Sequence, residues 1–299
     1  GVVVALPAHH TPVTTAVAAP ATVVTGSPFV PTAAPIPTTT TTTVPRPTTV
    51  PAVPVTTRSI RKGVGTWYFT GVTAALEDVG AGWYYDWAAT RLNIAAPPGV
   101  EFVPMARDAA SVTAATLAQA EQQGTELLGF NEPDLAGQAN MSASQALDLW
   151  PKLAATGMRL GSPSVASGGD TPGGWLDQFM SGAAARGYRV DFIALHWYGS
   201  DFGPAAVGQL RGYVQAVYDR YHKPIWLTEY ALINFGGGQK YPTQAQQAAF
   251  VTGSTAMLDA LPYVQRYAWF ALPSQGADTG LYRSANSPTT VGLAYRAAN

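Results

Sequence analysis

The chain has 299 residues, with 30 Gly, 24 Pro, no Cys and a formal net charge of −1. Only 12% of the residues are charged, which argues against a nucleic-acid partner because such a partner needs a basic face. The absence of Cys excludes disulfides, thiolate metal ligands and thiol nucleophiles. No apolar run approaches the roughly 18 residues of a membrane span. Two of the four His lie within the first ten residues, so we expect no multi-histidine metal site and no cofactor.

Residues 1–59 differ in composition from the rest of the chain. They contain 11 of the 24 Pro, a run of six Thr from Thr38 to Thr43 and no Asp, Glu, Lys or Trp. Too few large apolar groups are present to offset the entropy cost of ordering the backbone. We therefore predict that residues 1–59 form a disordered Thr/Pro-rich linker or stalk, either O-glycosylated or undecorated, and that residues 60–299 form a single folded domain.

Residues 60–299 alternate short apolar runs with helix-like segments. Eight runs predict strands: Lys62–Phe69, Gly82–Trp87, Glu101–Arg107, Glu126–Asn131, Arg159–Ala166, Asp191–Tyr198, Pro224–Tyr230 and Tyr263–Leu272. Helices are predicted over Val112–Gln123, Ser142–Thr156, Gly173–Ala185, Ala206–Tyr221 and Thr243–Leu261. Ser142 with Gln145, and Thr243 with Gln246, have capping-box spacing, which predicts the start of two of these helices.

This alternation predicts an α/β fold. Eight strand-then-helix units in a segment of this length are typical of a (β/α)8 TIM barrel, which usually has about 250 residues. The first two connections are short, so we expect short helices there. A doubly wound sheet is the alternative, but no G-x-G-x-x-G motif follows the first predicted strand. The barrel is therefore the favoured architecture.

Two glutamates end predicted strands, where barrel active sites gather. Glu132 follows an apolar run at the end of the fourth strand, and Glu229 follows another at the end of the seventh. A carboxylate at the end of a buried strand is costly unless it is paired or functional, and no adjacent Lys or Arg pairs with either one. Taken singly, Glu132 is also compatible with a turn and Glu229 with a helix cap or an ion pair. Their occurrence together favours a function.

Two carboxylates about 5–5.5 Å apart are what a retaining glycosidase needs. One protonates the departing glycosidic oxygen, and the other attacks the anomeric carbon to form a glycosyl ester. The negative charge on Glu229 disfavours ionisation of Glu132, which would then serve as the acid. Esterification removes the charge from Glu229, after which Glu132 can accept a proton from water. The sequence therefore predicts Glu132 as acid/base and Glu229 as nucleophile.

Several polar residues are placed to assist this pair. His196 and Tyr198 alternate on the sixth predicted strand and so share one face of it. From that face Tyr198 would hydrogen-bond Glu229, while His196 would contact the sugar or be a satisfied core histidine. Asn131 adjoins the acid and is placed to bind a sugar 2-hydroxyl. Arg107 is a further candidate, with pairing to a neighbouring Asp (Asp108 or Asp86) as its alternative role.

Aromatic side chains near the strand ends are candidates for stacking on the apolar face of a sugar ring. The candidates are Trp67, Trp83, Trp87, Trp197 and Trp269, each of which is also compatible with a packing role. Strand alternation predicts that Ile225 and Leu227 face inward together with Glu229. Trp226 is then expected to face the helices.

Three motifs resemble those of a known family: G-F-N-E-P-D at Gly129–Asp134, D-F-I-A-L-H-W-Y at Asp191–Tyr198 and P-I-W-L-T-E-Y at Pro224–Tyr230. The chain resembles glycoside hydrolase family 128, whose members are (β/α)8 endo-β-1,3-glucanases of the retaining clan A and include alkali-sensitive-linkage-type cell-wall proteins. The resemblance extends over Arg61–Tyr295, through K-G-V-G-T-W-Y in the first strand and Y-A-W-F in the eighth. N-E-P alone occurs across the clan, so the combination is the specific signal.

The resemblance implies roles for individual residues. It implies Glu132 as acid/base and Glu229 as nucleophile, with Asn131 binding the sugar in the −1 subsite. It also implies Tyr198 beside the nucleophile and Trp269 as the floor of that subsite. The β-1,3-glucan substrate is likewise an implication of the resemblance, and residues 1–59 match nothing in the catalytic module.

The leading prediction is a retaining endo-β-1,3-glucanase that is secreted or displayed at the cell surface and is a monomer. One alternative keeps the mechanism but changes the polymer to xylan, β-1,4-glucan or mannan. Another is a non-catalytic barrel that binds cell-wall glucan on a Thr/Pro stalk. The glutamate pair favours an enzyme, because a pure binding protein has no need of two facing carboxylates.

Overall fold

The structure is a computed structural model that describes residues 58–298. The predicted linker, residues 1–59, lies outside the described residues except for its last two positions. Its disorder and its boundary with the domain at residues 60–299 therefore stay predictions.

A strand overlaps each of the eight predicted runs. Most of the strands are shorter than the runs, but the sixth and the seventh extend past the predicted ends. The strands are β1 Lys62–Gly65, β2 Trp83–Tyr85, β3 Glu101–Phe102, β4 Glu126–Leu127, β5 Arg159–Leu160, β6 Ile193–Gly199, β7 Ile225–Leu232 and β8 Val264–Phe270. The sequence analysis did not predict a short hairpin near the C-terminus, which consists of β9 Tyr282–Ser284 and β10 Ser287–Pro288.

The described residues form seven α-helices, which are α1 Val72–Asp78, α2 Ala114–Glu121, α3 Ala143–Ala154, α4 Trp175–Ala185, α5 Ala206–Tyr221, α6 Gln244–Asp259 and α7 Thr290–Ala297. The five from α2 to α6 follow the predicted segments closely, while α1 and α7 lie outside them. The capping boxes predicted at Ser142 and Thr243 are both present and begin α3 and α6. Within residues 58–298, no helix combines the length and the apolar character needed to cross a membrane.

The strands form an α/β fold with a parallel sheet. Six strands pair in the order β3-β2-β1-β8-β7-β6, and β4 pairs with β5 in a separate parallel sheet. Single parallel bridges lie beyond the strand ends, from Met105 to Leu128 and from Gly161 to Phe192. Because the paired strands are parallel, their C-terminal ends lie at the same edge, where the predicted site residues are found.

Two clusters of buried side chains pack on opposite faces of the strands. The larger cluster joins strand residues such as Leu195 and Leu227 to buried helix residues. The smaller one is built from strand and loop residues and is strongly aromatic, with Trp83, Phe192 and Trp226 among its members. Gly63 of β1 makes room for this packing, because a Cβ atom at that position would lie 2.3 Å from the Trp83 indole.

Trp226 occupies the opposite face from the one predicted. Its ring stacks on Phe192 with centroids 4.1 Å apart, inside the smaller cluster. Ile225 and Leu227, predicted to face inward, instead pack in the helix-side cluster. The alternation predicted for the first part of β7 was therefore wrong.

A β-bulge in β7 explains the difference. In the pairing of β6 with β7, Leu195 lies opposite Leu227 but His196 lies opposite Glu229, so Thr228 is one extra residue on β7. The pairing with β8 shifts over the same stretch. Since side chains alternate along a strand, one extra residue reverses the faces beyond it. Glu229 is therefore on the same side of the strand as Trp226.

Candidate active site

Glu132 sits in a tight turn after β4. Its backbone φ is +42°, in the left-handed region that side chains other than Gly and Asn rarely adopt. The Glu132 N–H donates to the carbonyl of Ser164 at 2.8 Å, and its own carbonyl accepts from Leu135 N at 3.0 Å. Pro133 follows directly and disfavours a right-handed helical conformation at Glu132. The turn thereby fixes the direction in which this carboxyl group leaves the strand.

Glu229 is buried and surrounded by hydrogen-bond donors. Its Oε1 accepts from Tyr85 Oη at 3.1 Å and from Trp87 Nε1 at 2.8 Å, and its Oε2 accepts from the hydroxyl of Tyr198. Burial raises the pKa of both tyrosines well above the usual value, and the Glu229 charge adds to the effect. Both hydroxyls therefore remain neutral donors at physiological pH, and the Glu229 carboxylate is held in one orientation.

His196 lies between the two glutamates. Its Nδ1 is 3.0 Å from Glu132 Oε1, and its Nε2 is 3.4 Å from Glu229 Oε1. One oxygen of each glutamate and one nitrogen of His196 lie within 4.8 Å of one another. The fold thus brings together the two carboxylates that the sequence analysis paired, although 97 residues separate them (229 − 132). Among the described residues, these three side chains also form a group able to hold a metal ion, but hydrolysis by two carboxylates requires none.

The charges at the centre of the site are strongly coupled. Burial is the largest effect on Glu229 and raises the pKa of its carboxyl. The positive charge of His196 and the hydrogen bonds from Tyr198 and Trp87 oppose that rise, whereas the charge of Glu132 adds to it. Burial disfavours the protonated form of His196, but the attraction of Glu229 and Glu132 outweighs it and raises the pKa of the imidazole. An imidazolium is therefore favoured between the two carboxylates.

Asn131 and Arg107 meet at a side chain that the sequence analysis did not identify. The Gln138 Oε1 accepts from Arg107 Nη2 at 2.8 Å and from Asn131 Nδ2 at 3.3 Å. Arg107 also pairs with Asp108 at 3.2 Å, which was one of the two pairings proposed for it. Gln138 lies in the loop that follows the N-E-P-D turn, and no sequence pattern at that position identifies it as a site residue.

Two of the predicted tryptophans lie at the site. The Trp87 indole contacts the nucleophile candidate and is almost fully buried. Trp67 is half-buried beside it, with ring centroids 6.3 Å apart, and it also packs against Phe270 at 6.4 Å. Together they place aromatic surface beside Glu229, and their contact with a sugar ring stays a prediction.

The structure places the other three predicted tryptophans away from the glutamate pair, and the sugar-stacking role predicted for Trp83 and Trp269 is corrected. Trp83 is completely buried in the smaller cluster, 5.5 Å from Trp226. Trp197 stacks on Phe250 of α6 at 5.6 Å. Trp269 is also completely buried and packs 6.2 Å from the same phenylalanine. Trp83 and Trp269 therefore have no ring face open to a sugar, whereas Trp197 is only partly buried and its stacking role stays a prediction.

Strand alternation explains which aromatic residues reach the site. On β6, Tyr198 points to Glu229, so its neighbour Trp197 faces the helices. On β8, Phe270 contacts the site aromatics, so Trp269 faces the helices. Tyr85, which the sequence analysis did not select, alternates with Trp87 after β2 and could have been found by the same rule.

Comparison with known proteins gives the site a family context. Residues 70–295 match the family described as glycosyl hydrolase catalytic core. The alkali-sensitive linkage protein 1 of Schizosaccharomyces pombe is 32% identical over 228 residues, which are 72% of this chain. The chain spans 40% of the length of that curated relative.

Two solved structures extend the comparison. A subgroup I endo-β-1,3-glucanase of glycoside hydrolase family 128 from Amycolatopsis mediterranei, in complex with laminaritriose, is 64% identical with a TM-score of 0.79 and covers 80% of this chain and 100% of its own. A subgroup II endo-β-1,3-glucanase from Sorangium cellulosum is 29% identical with a TM-score of 0.69, covering 80% of this chain and 98% of its own. The motifs and the fold agree with these matches, and the chain belongs to glycoside hydrolase family 128, with a glycosyl hydrolase catalytic core.

Proposed function

We propose that the protein is an endo-β-1,3-glucanase that hydrolyses β-1,3-glucan with retention of the anomeric configuration. The observation that carries the proposal is the approach of Glu132 and Glu229 to within 4.8 Å, measured between carboxylate oxygens. Retaining glycosidases hold their carboxyl groups about 5–5.5 Å apart, and inverting enzymes hold them about 6.5–9.5 Å apart. The short separation leaves no room for a water between carboxylate and sugar, which favours direct attack by a carboxylate.

Glu229 is the nucleophile and Glu132 the acid/base in this proposal. Three donors fix the Glu229 carboxylate, which suits a group that must attack one carbon from one direction. Glu132 has His196 as its hydrogen-bond partner and lies on a turn at the strand end. A group in that position can reach the glycosidic oxygen on the opposite side of the bond.

The reaction then runs in two displacements. Glu229 Oε attacks the anomeric carbon while Glu132 gives its proton to the departing oxygen, which leaves a glycosyl ester on Glu229. Water next attacks the same carbon as Glu132 takes its proton, and the ester bond breaks to regenerate the Glu229 carboxylate. His196 faces both carboxylates and offsets their negative charge at each stage.

The substrate follows from the relatives. The structure of the Amycolatopsis enzyme was solved with laminari-oligosaccharides. Two of its variants, each with a different glutamate replaced by alanine, were also solved with such oligosaccharides. The two replaced glutamates are as far apart in that chain as Glu132 and Glu229 are in this one. At 64% identity over the catalytic region, the same polymer is the proposed substrate here.

The proposal includes a closed (β/α)8 barrel and an exported protein. The bridges from Met105 to Leu128 and from Gly161 to Phe192 support the barrel, because they lie where β3 meets β4 and where β5 meets β6. The Thr/Pro-rich composition of residues 1–59 supports secretion or display at the cell surface. A monomer remains the prediction for the oligomeric state.

Proton NMR of a laminari-oligosaccharide during the first minutes of digestion tests the reaction. New β-anomer ahead of mutarotation, from internal cuts, supports a retaining endo-β-1,3-glucanase, whereas new α-anomer contradicts retention. Hydrolysis of xylan, mannan or β-1,4-glucan alone would contradict the substrate. Binding of insoluble glucan with no product from any polymer would instead favour a non-catalytic protein.

Azide rescue tests the two roles separately. With an activated β-glucoside, Glu229→Ala plus azide should give the α-glucosyl azide, because azide replaces the nucleophile in a single displacement. Glu132→Ala plus azide should give the β-azide, because the glycosyl ester still forms on Glu229. The exposed Glu121→Ala on α2 is the matched control and should hydrolyse at the native rate. Exchange of the two azide products would reverse the assigned roles.

A further inference from the structure

Trp87 has an unusual backbone conformation for a large aromatic residue. Its φ is +58°, in the left-handed region, where a bulky side chain is strained. Its indole Nε1 donates to Glu229 Oε1 at 2.8 Å. The strained conformation therefore belongs to a residue that touches the proposed nucleophile, and something in the surrounding structure must maintain it.

The preceding residue, Asp86, brackets this position. Its Oδ1 accepts from Ala88 N at 3.2 Å and its Oδ2 accepts from Leu92 N at 2.8 Å, so both bonds reach past Trp87 to the chain that follows. The Ala88 carbonyl in turn accepts from Met105 N at 2.9 Å, which ties the bracketed loop to the segment after β3. The two bonds thus tie the residue before Trp87 to residues after it, and so restrict the backbone between them.

The Asp86 carboxyl is buried and, within residues 58–298, has no Lys, Arg or His in ion-pair contact. Burial raises the pKa of Asp86 to about 7, with the hydrogen bonds from Leu92 and Ala88 opposing the rise. Burying a carboxyl group is unfavourable unless hydrogen bonds compensate for the lost water, and here the N–H groups of Ala88 and Leu92 do so. The neighbouring aromatic side chains pack on the Trp87 ring, with Tyr85 at 4.8 Å and Phe270 at 5.9 Å, whereas the Asp86 bonds act on the backbone beside it.

We propose that Asp86 is a positioning residue that holds Trp87 in its left-handed conformation and so keeps the indole N–H on the nucleophile Glu229. This inference rests on the proposed function of Glu229. The carboxylate of Glu229 is also faced by Glu132, His196, Tyr85 and Tyr198, none of which Asp86 holds. Loss of Asp86 should therefore remove one donor from the nucleophile and leave its other neighbours in place.

Kinetics test the coupling. Asp86→Ala should lower kcat/KM about 10- to 100-fold, the effect expected for one lost hydrogen bond to a charged group, mainly through kcat. The indole N–H stabilises the ionised form of Glu229, so its loss should raise the pKa of that carboxyl. The acid limb of the pH profile should therefore move to higher pH. Asp86→Asn keeps one acceptor oxygen and should be intermediate. In the double variant with Trp87→Phe, the second change should add little, and losses that multiply would overturn the proposal.

The Trp indole N–H resonances in a ¹⁵N–¹H spectrum give a test that needs no substrate. Trp87→Phe identifies the Trp87 signal, which Asp86→Ala should shift and expose to faster solvent exchange. Asp191→Asn is the matched control, since Asp191 also accepts a backbone N–H, from Leu160 at 2.7 Å, at the start of the strands. An unmoved Trp87 signal in Asp86→Ala overturns the positioning role.

Failure of the proposed function would instead appear as undiminished hydrolysis by Glu229→Gln, with the Trp87 signal still shifted in Asp86→Ala. If Asp86→Ala does not fold, Asp86→Asn carries the same readouts.

Discussion

His196 lies between the two carboxyl groups proposed as catalytic, and its ring nitrogens face one glutamate each, at 3.0 and 3.4 Å. His196→Asn removes the positive charge that opposes the raised pKa of Glu229. The pKa of Glu229 should then rise further, so the acid limb of the kcat/KM profile should move to higher pH. We expect kcat/KM at the native optimum to fall about 10- to 100-fold, as for a lost hydrogen bond to a charged group.

His222→Asn is the matched control for this prediction. His222 is exposed at the C-terminal cap of α5 with φ +48°, a conformation that Asn adopts readily. Its replacement should leave both the rate and the pH profile unchanged. An acid limb that stays in place for His196→Asn would mean that the imidazole is neutral between the glutamates.

Sequence patterns could identify those site residues whose signal is local. Glu132 and Glu229 each follow a short apolar run, and Tyr198 shares a strand face with His196, so position along the chain was enough to select them. Gln138 could not be selected in this way. Its hydrogen bonds to Arg107 and Asn131 form only when its loop folds against those residues, and no local sequence pattern predicts that contact.

At the scale of elements, the eight strands could be predicted because each is a short apolar run between turn signals. Which side of the sheet each side chain faces could not always be predicted. The bulge at Thr228 is the example. Thr228 accepts through its carbonyl from Tyr85 Oη at 3.0 Å and donates through Oγ1 to the Leu195 carbonyl at 3.2 Å. These long-range bonds stabilise the extra residue, and nothing in the order of β7 reveals them. The alternation rule therefore failed for Trp226 although it located Glu229.

Two glycines of β1 should respond differently to the same substitution. A Cβ at Gly63 would lie 2.3 Å from the buried Trp83 ring, whereas a Cβ at Gly65 would lie 2.9 Å from Cη2 of Trp87. Gly63→Ala should therefore lower the free energy of unfolding by about 1–3 kcal/mol, the usual cost of overpacking. Gly65→Ala should mainly lower kcat, because it displaces the indole that contacts Glu229. Urea unfolding and laminarin hydrolysis measure the two effects.

The control for both glycines is Gly208→Ala in α5, where no atom lies within 4 Å of the added Cβ. It should stabilise the protein by up to about 1 kcal/mol, because Ala is the better helix former. If Gly63→Ala and Gly65→Ala lose stability and activity in the same proportion, the division of β1 into a packing position and a site position is wrong.

At the scale of the whole molecule, a charged network joins the two sheets at the end of the strands opposite the active site. Arg266 of β8 contacts Glu101 of β3 at 2.7 Å and Glu126 of β4 at 3.9 Å, and Arg159 of β5 lies 4.0 Å from the same Glu126. The Arg266 guanidinium also lies 4.3 Å from the centroid of the Trp226 ring. Three strands from both sheets, β3, β4 and β8, thus meet at the nearly buried Arg266, and β5 joins them through Glu126.

Replacing Arg266 by Met should therefore cost far more stability than replacing an exposed arginine. The change leaves Glu101 without its cation, whereas Glu126 keeps Arg159. Breaking a fully buried pair from one side typically costs about 3–5 kcal/mol, and because the Glu101 side chain is 34% exposed we expect a smaller loss. Burial raises the pKa of Glu101 and Arg266 opposes the rise, so in Arg266→Met the carboxyl should protonate at higher pH. A protonated Glu101 no longer needs the cation, so the stability deficit should shrink as the pH falls through that raised pKa.

Urea unfolding across this pH range measures the deficit, with Arg186→Met as the control. Arg186 forms an exposed pair with Asp148 at 3.0 Å, which is worth at most about 1 kcal/mol. Adding Glu101→Gln to Arg266→Met should restore part of the lost stability, because it removes the charge that has lost its cation. Equal losses for the two arginine variants would mean that the network does not hold the sheets together, and that the aromatic cluster around Trp226 alone does so.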